Sequence, residues 1–142
     1  MGELRNVIVF TIGAVRYAVE LRWIREVTTL GFVTGVPTAP AVLGGVCNLH
    51  GTILPVLDVG ALLDRPAGPP PRQGDGALVL EIEGLVCALR VDQVDYVASL
   101  NETGGHVLDS SGRTMTLLEP ERLVRRATEL VGEAGVVGVV RG

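Results

Sequence analysis

Hydrophobic and polar positions alternate over the first twenty residues. Val7 to Ile12 is rich in β-branched residues, Gly13-Ala14 interrupts it, and Val15 to Val19 returns with Val15, Tyr17 and Val19 on one face. A period of two around a small turn predicts a β-hairpin. The period then changes. Leu21, Ile24 and Val27 recur three apart, which predicts a short helix with Glu20 at the favourable end of its dipole and Gly31 as its stop. Phe32 to Val36 reads as a brief strand ended by Pro37. Val42 to Val59 reads as two strands about a turn at His50-Gly51, and Gly60 to Leu63 as a helical turn. Residues 65–76, RPAGPPPRQGDG, hold four prolines and three glycines and read as a linker. Beyond it, Ala77 to Glu83 and Leu85 to Val91 repeat the hairpin pattern, turning at Glu83-Gly84. Glu119 to Leu130 predicts a helix with Pro120 in its first turn.

The two halves resemble each other. Shifted by 70, Val9, Ile12, Ala18 and Val27 meet identical residues at Val79, Ile82, Ala88 and Val97, and Ile8, Phe10, Val15, Val19, Leu21 and Ile24 meet apolar ones. Shifted by 61, Leu57, Asp58 and Leu62 meet Leu118, Glu119 and Leu123. An internal duplication explains both shifts; the alternative is convergence of two strand pairs on one alternating pattern. Twenty residues, Thr28 to Cys47, separate the matched blocks in the first unit, and eleven, Ala98 to Leu108, in the second. The second unit thus lacks an equivalent of the Phe32–Val36 strand and its proline loop. The expected architecture is mainly β: two small tandem barrels, the second shortened with a gap in its wall, plus short helices. The first barrel would span about 7–64, the linker 65–76, the second barrel about 77–130, and a tail 131–142.

Composition narrows the function. The 142 residues are 47% hydrophobic and 20% charged, enough apolar material for a real core. Mean hydropathy is +0.41. The longest uncharged run, Val27 to Leu57, contains Pro37, Pro40, Pro55 and five glycines, which excludes one spanning helix. The first residues match neither a secretory signal nor a myristoylation pattern, since Asn6 stands where Ser or Thr is needed. A cytoplasmic protein without direct membrane insertion is expected. All 12 basic residues are arginine against 16 acidic residues. The absence of lysine excludes Schiff-base and phosphate-loop chemistry that depends on it. Cys47 and Cys87, 40 apart in apolar surroundings, read as buried free thiols.

Few residues invite chemistry. Cys47 and His50 stand three apart, the germ of a small metal- or thiol-dependent enzyme. On a strand that spacing points them to opposite faces, and no second ligand pair has suitable spacing, so a core thiol and a turn histidine are the simpler reading. Glu81, Glu83, Asp92 and Asp95 form the densest acidic region, on an alternating strand whose solvated face explains them. Arg122, Arg125 and Arg126 form a basic edge on the last helix. A nucleic-acid-binding barrel would need aromatic platforms in a positive groove, against five aromatics and a net charge of −4. No cofactor and no metal is expected. The uncharged Val27–Leu57 stretch is either core or, where its turns reach the surface, an interface centre.

One stretch is specific. Val36-Pro37-Thr38-Ala39-Pro40, then Leu43-Gly44-Gly45-Val46-Cys47-Asn48-Leu49-His50-Gly51, then Ile53-Leu54-Pro55-Val56-Leu57-Asp58-Val59 resembles the signature of the CheW-like domain. The opening Val9-Phe10-Thr11-Ile12-Gly13, Tyr17-Ala18-Val19-Glu20 and Ile24-Arg25-Glu26-Val27 resembles it too. The resemblance implies two SH3-like β-barrels and no catalysis. It implies an adaptor that binds the cytoplasmic tip of a chemoreceptor and links it to a CheA-type histidine kinase and to other CheW-like proteins. By motif, the partner-binding positions would be Ile24, Glu26 and Val27 on the first helix, and Gly45, Asn48, Leu49 and His50 about the turn. His50 stands where the family usually has arginine, replacing a permanent charge by a titratable one. The shortened second unit points to a divergent member that binds receptors and couples poorly to the kinase.

Overall fold

The computed structural model describes residues 4–103, 106–108 and 112–133. The N-terminal Met1–Glu3, the Gly104-Gly105 pair before His106, and most of the expected tail lie outside the described residues. The expected hairpins form: β1 (Leu4–Ile12) with β2 (Val15–Glu20), β5 (Leu43–Leu49) with β6 (Thr52–Leu57), and β7 (Gly76–Ile82) with β8 (Leu85–Val91). Two of their turns are built alike. His50-Gly51 and Glu83-Gly84 both carry positive φ (52° and 86°; 51° and 85°), the left-handed pair whose twist suits a two-residue hairpin. Helices α1 (Val59–Leu62) and α2 (Pro120–Glu133) also form, and Pro120 opens α2, where its missing N–H costs nothing.

The predicted first helix does not form. A single 3-10 turn, Leu21–Trp23, leads into strand β3 (Ile24–Thr29), in which exposure alternates residue by residue. Ile24, Val27, Thr28 and Thr29 are β-branched, and β7 offers a pairing edge; together these override the three-residue spacing. The remaining strands are β4 (Val33–Thr34), β9 (Gln93–Thr103), β10 (His106–Leu108) and β11 (Thr114–Leu117).

Pairing does not divide the chain at the linker, so barrels confined to 7–64 and 77–130 are not what forms. One sheet closes as β1-β2-β11-β10-β9; the other runs β3-β7-β8-β6-β5-β4. Each sheet takes the first hairpin of one repeat and the later strands of the other. The two exchanges match in register. In β1/β9, Val9 faces Tyr96 and Phe10 faces Val94, leaving Asp95 as a bulge. In β7/β3, Val79 faces Glu26 and Leu80 faces Ile24, leaving Arg25 as a bulge, 70 residues before Asp95. Likewise β11 runs parallel to β2 with Leu117 beside Ala18, and β6 parallel to β8 with Val56 beside Ala88. Convergent hairpins have no reason to share bulges and a crossed pairing; duplication does.

The expected gap in the second barrel is absent. β9 pairs with β1 over most of its length and with β10 at its end, doing the work that β3 and β4 divide between them. The break lies in the other barrel, at Leu30-Gly31-Phe32 between β3 and β4. The residues missing from the second unit are that break and the proline loop, not the wall.

The core has three layers. Val7, Val9, Ala18, Met115 and Leu117 fill one barrel; their repeat equivalents Ala77, Val79, Ala88, Leu54 and Val56, with Leu30 and Cys47, fill the other. The largest cluster joins Ile8, Phe10, Tyr17 and Val19 to Leu78, Leu80, Cys87 and Leu89 between the barrels, sealed by Leu62, Leu123 and Ala127 of the two helices. Full burial of a side chain such as Phe10 contributes about 2–3 kcal/mol, so this layer fastens the barrels to each other.

Candidate functional site

The motif residues gather at one end of the broken barrel. The β5–β6 turn carries His50 out over the barrel mouth, where its Nε2 lies 3.2 Å from Glu26 Oε1 on β3. No backbone ladder joins β3 to β5 or β6, so this pair spans the mouth between strands the sheet leaves apart. His50 is largely exposed and Glu26 about one-third exposed. Beneath them Leu49, Leu54, Val79 and Val86 line a cavity of about 130 Å³. Arg25, on the rim, is paired with Glu81 at 3.0 Å.

The other predicted positions separate. Asn48 is exposed and shapes the turn: its Oδ1 accepts the Gly51 N–H at 2.9 Å. Gly45 is buried under β4, where a Cβ would stand 2.7 Å from the Thr34 carbonyl oxygen. Ile24 is half-buried against the inter-barrel core, on the opposite face of β3 from Glu26. Val27 is 51% exposed beside that core, and its repeat equivalent Val97 is 59% exposed. The repeat could have nominated Val97 from the sequence; no motif did.

Phe32 and Ile53 are also exposed apolar residues, though neither is among the predicted partner positions. Phe32 (75% exposed) precedes Val33, whose side chain packs into the barrel, and Ile53 (49% exposed) pairs with Asn48. Asn48 and Ile53 thus lie on the outer surface of β5 and β6, and Phe32 stands exposed just before β4. The uncharged stretch serves both ends its composition allowed: Leu30, Val42, Leu43, Cys47, Leu54 and Val56 are core, whereas Val27, Phe32 and Ile53 face solvent.

The rival chemistries find their residues apart or occupied. Cys47 faces the barrel interior, where burial raises its thiol pKa, while His50 sits at the exposed tip. Burial pushes Cys87 up to about 12. Among the described residues no three His, Cys, Asp or Glu side chains form a group that could hold a metal. Three of the four residues of the acidic cluster are taken up in ties between strands: Asp95 accepts the Thr11 hydroxyl at 2.6 Å, Asp92 the Gly13 N–H at 2.6 Å, and Glu81 pairs with Arg25. On α2, Arg122 pairs with Glu119 and Arg126 with Asp64. No described helix is long and apolar enough to cross a membrane.

A family model described as the CheW-like domain matches residues 6–128. The chain belongs to that family. The probable chemotaxis protein CheW of Rhizobium etli is 32% identical over 99 residues, covering 69% of this chain and 63% of the relative. The chemotaxis protein CheW of Rhizobium meliloti is 31% identical over 98 residues, with the same shares. That of Klebsiella aerogenes is 27% identical over 131 residues, covering 92% of this chain and 72% of the relative. The chain therefore matches just under two-thirds of the length of the two rhizobial proteins. Among solved structures, the scaffolding protein TtCheW of Thermoanaerobacter tengcongensis superposes with a TM-score of 0.69 at 19% identity, covering 84% of this chain and 86% of that one. This CheW-like chain shares that fold, with the fifth strand of one barrel broken.

Proposed function

We propose that the chain is a non-enzymatic adaptor of a chemosensory assembly, joining chemoreceptor tips to a CheA-type histidine kinase. The observation that carries the reading is the convergence of Glu26, Leu49 and His50, three residues of the family motif, on one barrel mouth over a small cavity with Leu49, Leu54, Val79 and Val86 in its wall. A helical hairpin tip suits such a place: an apolar side chain can enter over Leu49 while polar groups meet Glu26 and His50. Val27, exposed on the other face of β3 beside the inter-barrel core, is assigned to the receptor as a second contact, separate from the mouth. The kinase, through a like barrel, takes the exposed Phe32 and the outer face at Asn48 and Ile53, where exposed apolar side chains need cover. The expectation of poor kinase coupling rested on a breached second barrel. Since β9 bridges that wall, we assign kinase contact to this chain as well.

The test is a side-by-side pull-down with a receptor tip and a kinase regulatory domain. An apolar anchor at an interface centre is worth ~2 kcal/mol or more, about thirtyfold in affinity. Val27→Asp should lose receptor and keep kinase; Phe32→Asp should do the reverse. Both residues are exposed, so the fold should survive, which circular dichroism checks. Ile24→Asp is less suited, because it places a charge against the inter-barrel core. Wild-type chain that retains neither partner would sink the proposal.

A further inference from the structure

Neither repeat of this chain can build a barrel from its own residues as folded. The interior of the closed barrel joins Val7, Val9 and Ala18 of the first repeat to Met115 and Leu117 of the second, and the other barrel reverses the debt with Leu54 and Val56 against Ala77, Val79 and Ala88. Each barrel interior is therefore shared between the halves, and the halves are joined once, through the linker. The linker is anchored at both ends. On the first-repeat side, Asp58 Oδ2 accepts the Gly68 N–H at 2.9 Å. On the second-repeat side, the Arg72 N–H donates to Asp75, and Leu30 holds Asp75 and Gly74 through backbone bonds of 2.7 and 2.8 Å. Between the anchors stand Pro69, Pro70 and Pro71, which have no N–H to donate and favour an extended chain.

We propose that a second copy of this chain is a binding partner, taken up by exchange of whole repeats. Residues up to Gly68 of one copy form the two composite barrels with residues from Arg72 onward of the other, and the proline run is the hinge. All interior contacts are kept in such a dimer; only the hinge changes conformation, which makes exchange a low-cost route to assembly. The partner copy also completes the Glu26–His50 site, because Val79 and Val86 beneath it come from the second repeat. Covalent linkage gives the two halves of one copy an effective concentration on the order of millimolar, so the closed monomer dominates in dilute solution. Exchange takes over when a copy's own second half is damaged or its hinge cannot close. The inference stands on topology and does not depend on the adaptor reading.

Two full-length variants test it. Val9→Pro disables the first-repeat hairpin and Val79→Pro the second, since each strand is paired on both sides and proline removes a ladder bond. Each variant alone should lack the folded far-ultraviolet signal. Refolded together, they should recover about half the wild-type signal per chain and elute as a 1:1 particle of about twice 14.9 kDa. Deleting Pro69–Pro71 from the otherwise wild-type chain should shift it from monomer to dimer by light scattering. A mixture whose signal is only the sum of its components, or a shortened chain that stays monomeric, overturns the proposal.

Discussion

Gly45 lies within the motif, yet its place under β4 makes it a test of fold rather than of contact. A Cβ built there would stand 2.7 Å from the Thr34 carbonyl oxygen and 2.7 Å from Val33 Cγ1, and its φ of +156° falls in a region other residues rarely adopt. Both obstacles belong to β4, a strand of two residues whose only sheet neighbour is β5. In Gly45→Ala the methyl group must displace β4. The backbone conformation costs on the order of 1–3 kcal/mol. Losing the Val33–Cys47 and Thr34–Val46 pairings adds roughly 0.5–1.5 kcal/mol for each hydrogen bond broken. A total of about 3 kcal/mol is expected. With a urea m-value of about 2 kcal/mol/M, the midpoint should fall by about 1.5 M. Two other glycines calibrate the result. Gly51, at φ +86° with no atom near a new Cβ, should cost about 1 kcal/mol as alanine, from backbone strain alone. Gly35 has neither obstacle, and Gly35→Ala should change stability by less than about 1 kcal/mol. The assay is urea unfolding of the three variants, followed by circular dichroism. If Gly45→Ala costs no more than Gly51→Ala, the close approach of β4 does not constrain this position and the reasoning fails.

Asp75 accepts the Arg72 N–H and pairs with Arg90, and these hold its carboxyl below the usual carboxylate range, the backbone bond foremost. A depressed value means stability that is present at neutral pH and lost as pH falls through the folded pKa. Asp75→Asn should therefore cost about 1–3 kcal/mol at pH 7, and its deficit against wild type should vanish once acid has protonated the wild-type carboxyl; denaturant melts across pH check this. Asp58 caps α1 by accepting the Ala61 N–H at 2.9 Å while also holding Gly68 of the linker. Asp58→Ala should cost about 1–2 kcal/mol and speed proteolytic nicking within residues 65–72, read by mass spectrometry. With its thiol raised to about 12, Cys87 should resist alkylation at pH 8 in the native chain and react at once in denaturant; rapid native labelling would show that its layer opens.

Local structure was legible where it follows from neighbouring residues. The Val7–Val19 alternation, the His50-Gly51 turn, the Pro120 helix start and the shift-70 repeat could all be read along the chain, because side-chain period and turn chemistry are short-range properties. The 36–59 motif carried the family for the same reason: a run of turn and core residues survives as a string. Pairing partners could not be read. The hairpins of the two repeats alternate almost identically, so β1 and β7 present equivalent edges, and nothing local tells β9 which of them to join. The same limit explains β3, where a helical spacing yielded to an available strand edge, and β9, where eleven residues did the work of two strands. Glu26 and His50, 24 residues apart in sequence, meet only because the barrel folds its β5–β6 turn back over β3. Periodicity determined which residues face inward. Only the tertiary structure decided whose interior they fill, because apolar burial rewards the removal of surface from water and is indifferent to which half of the chain removes it.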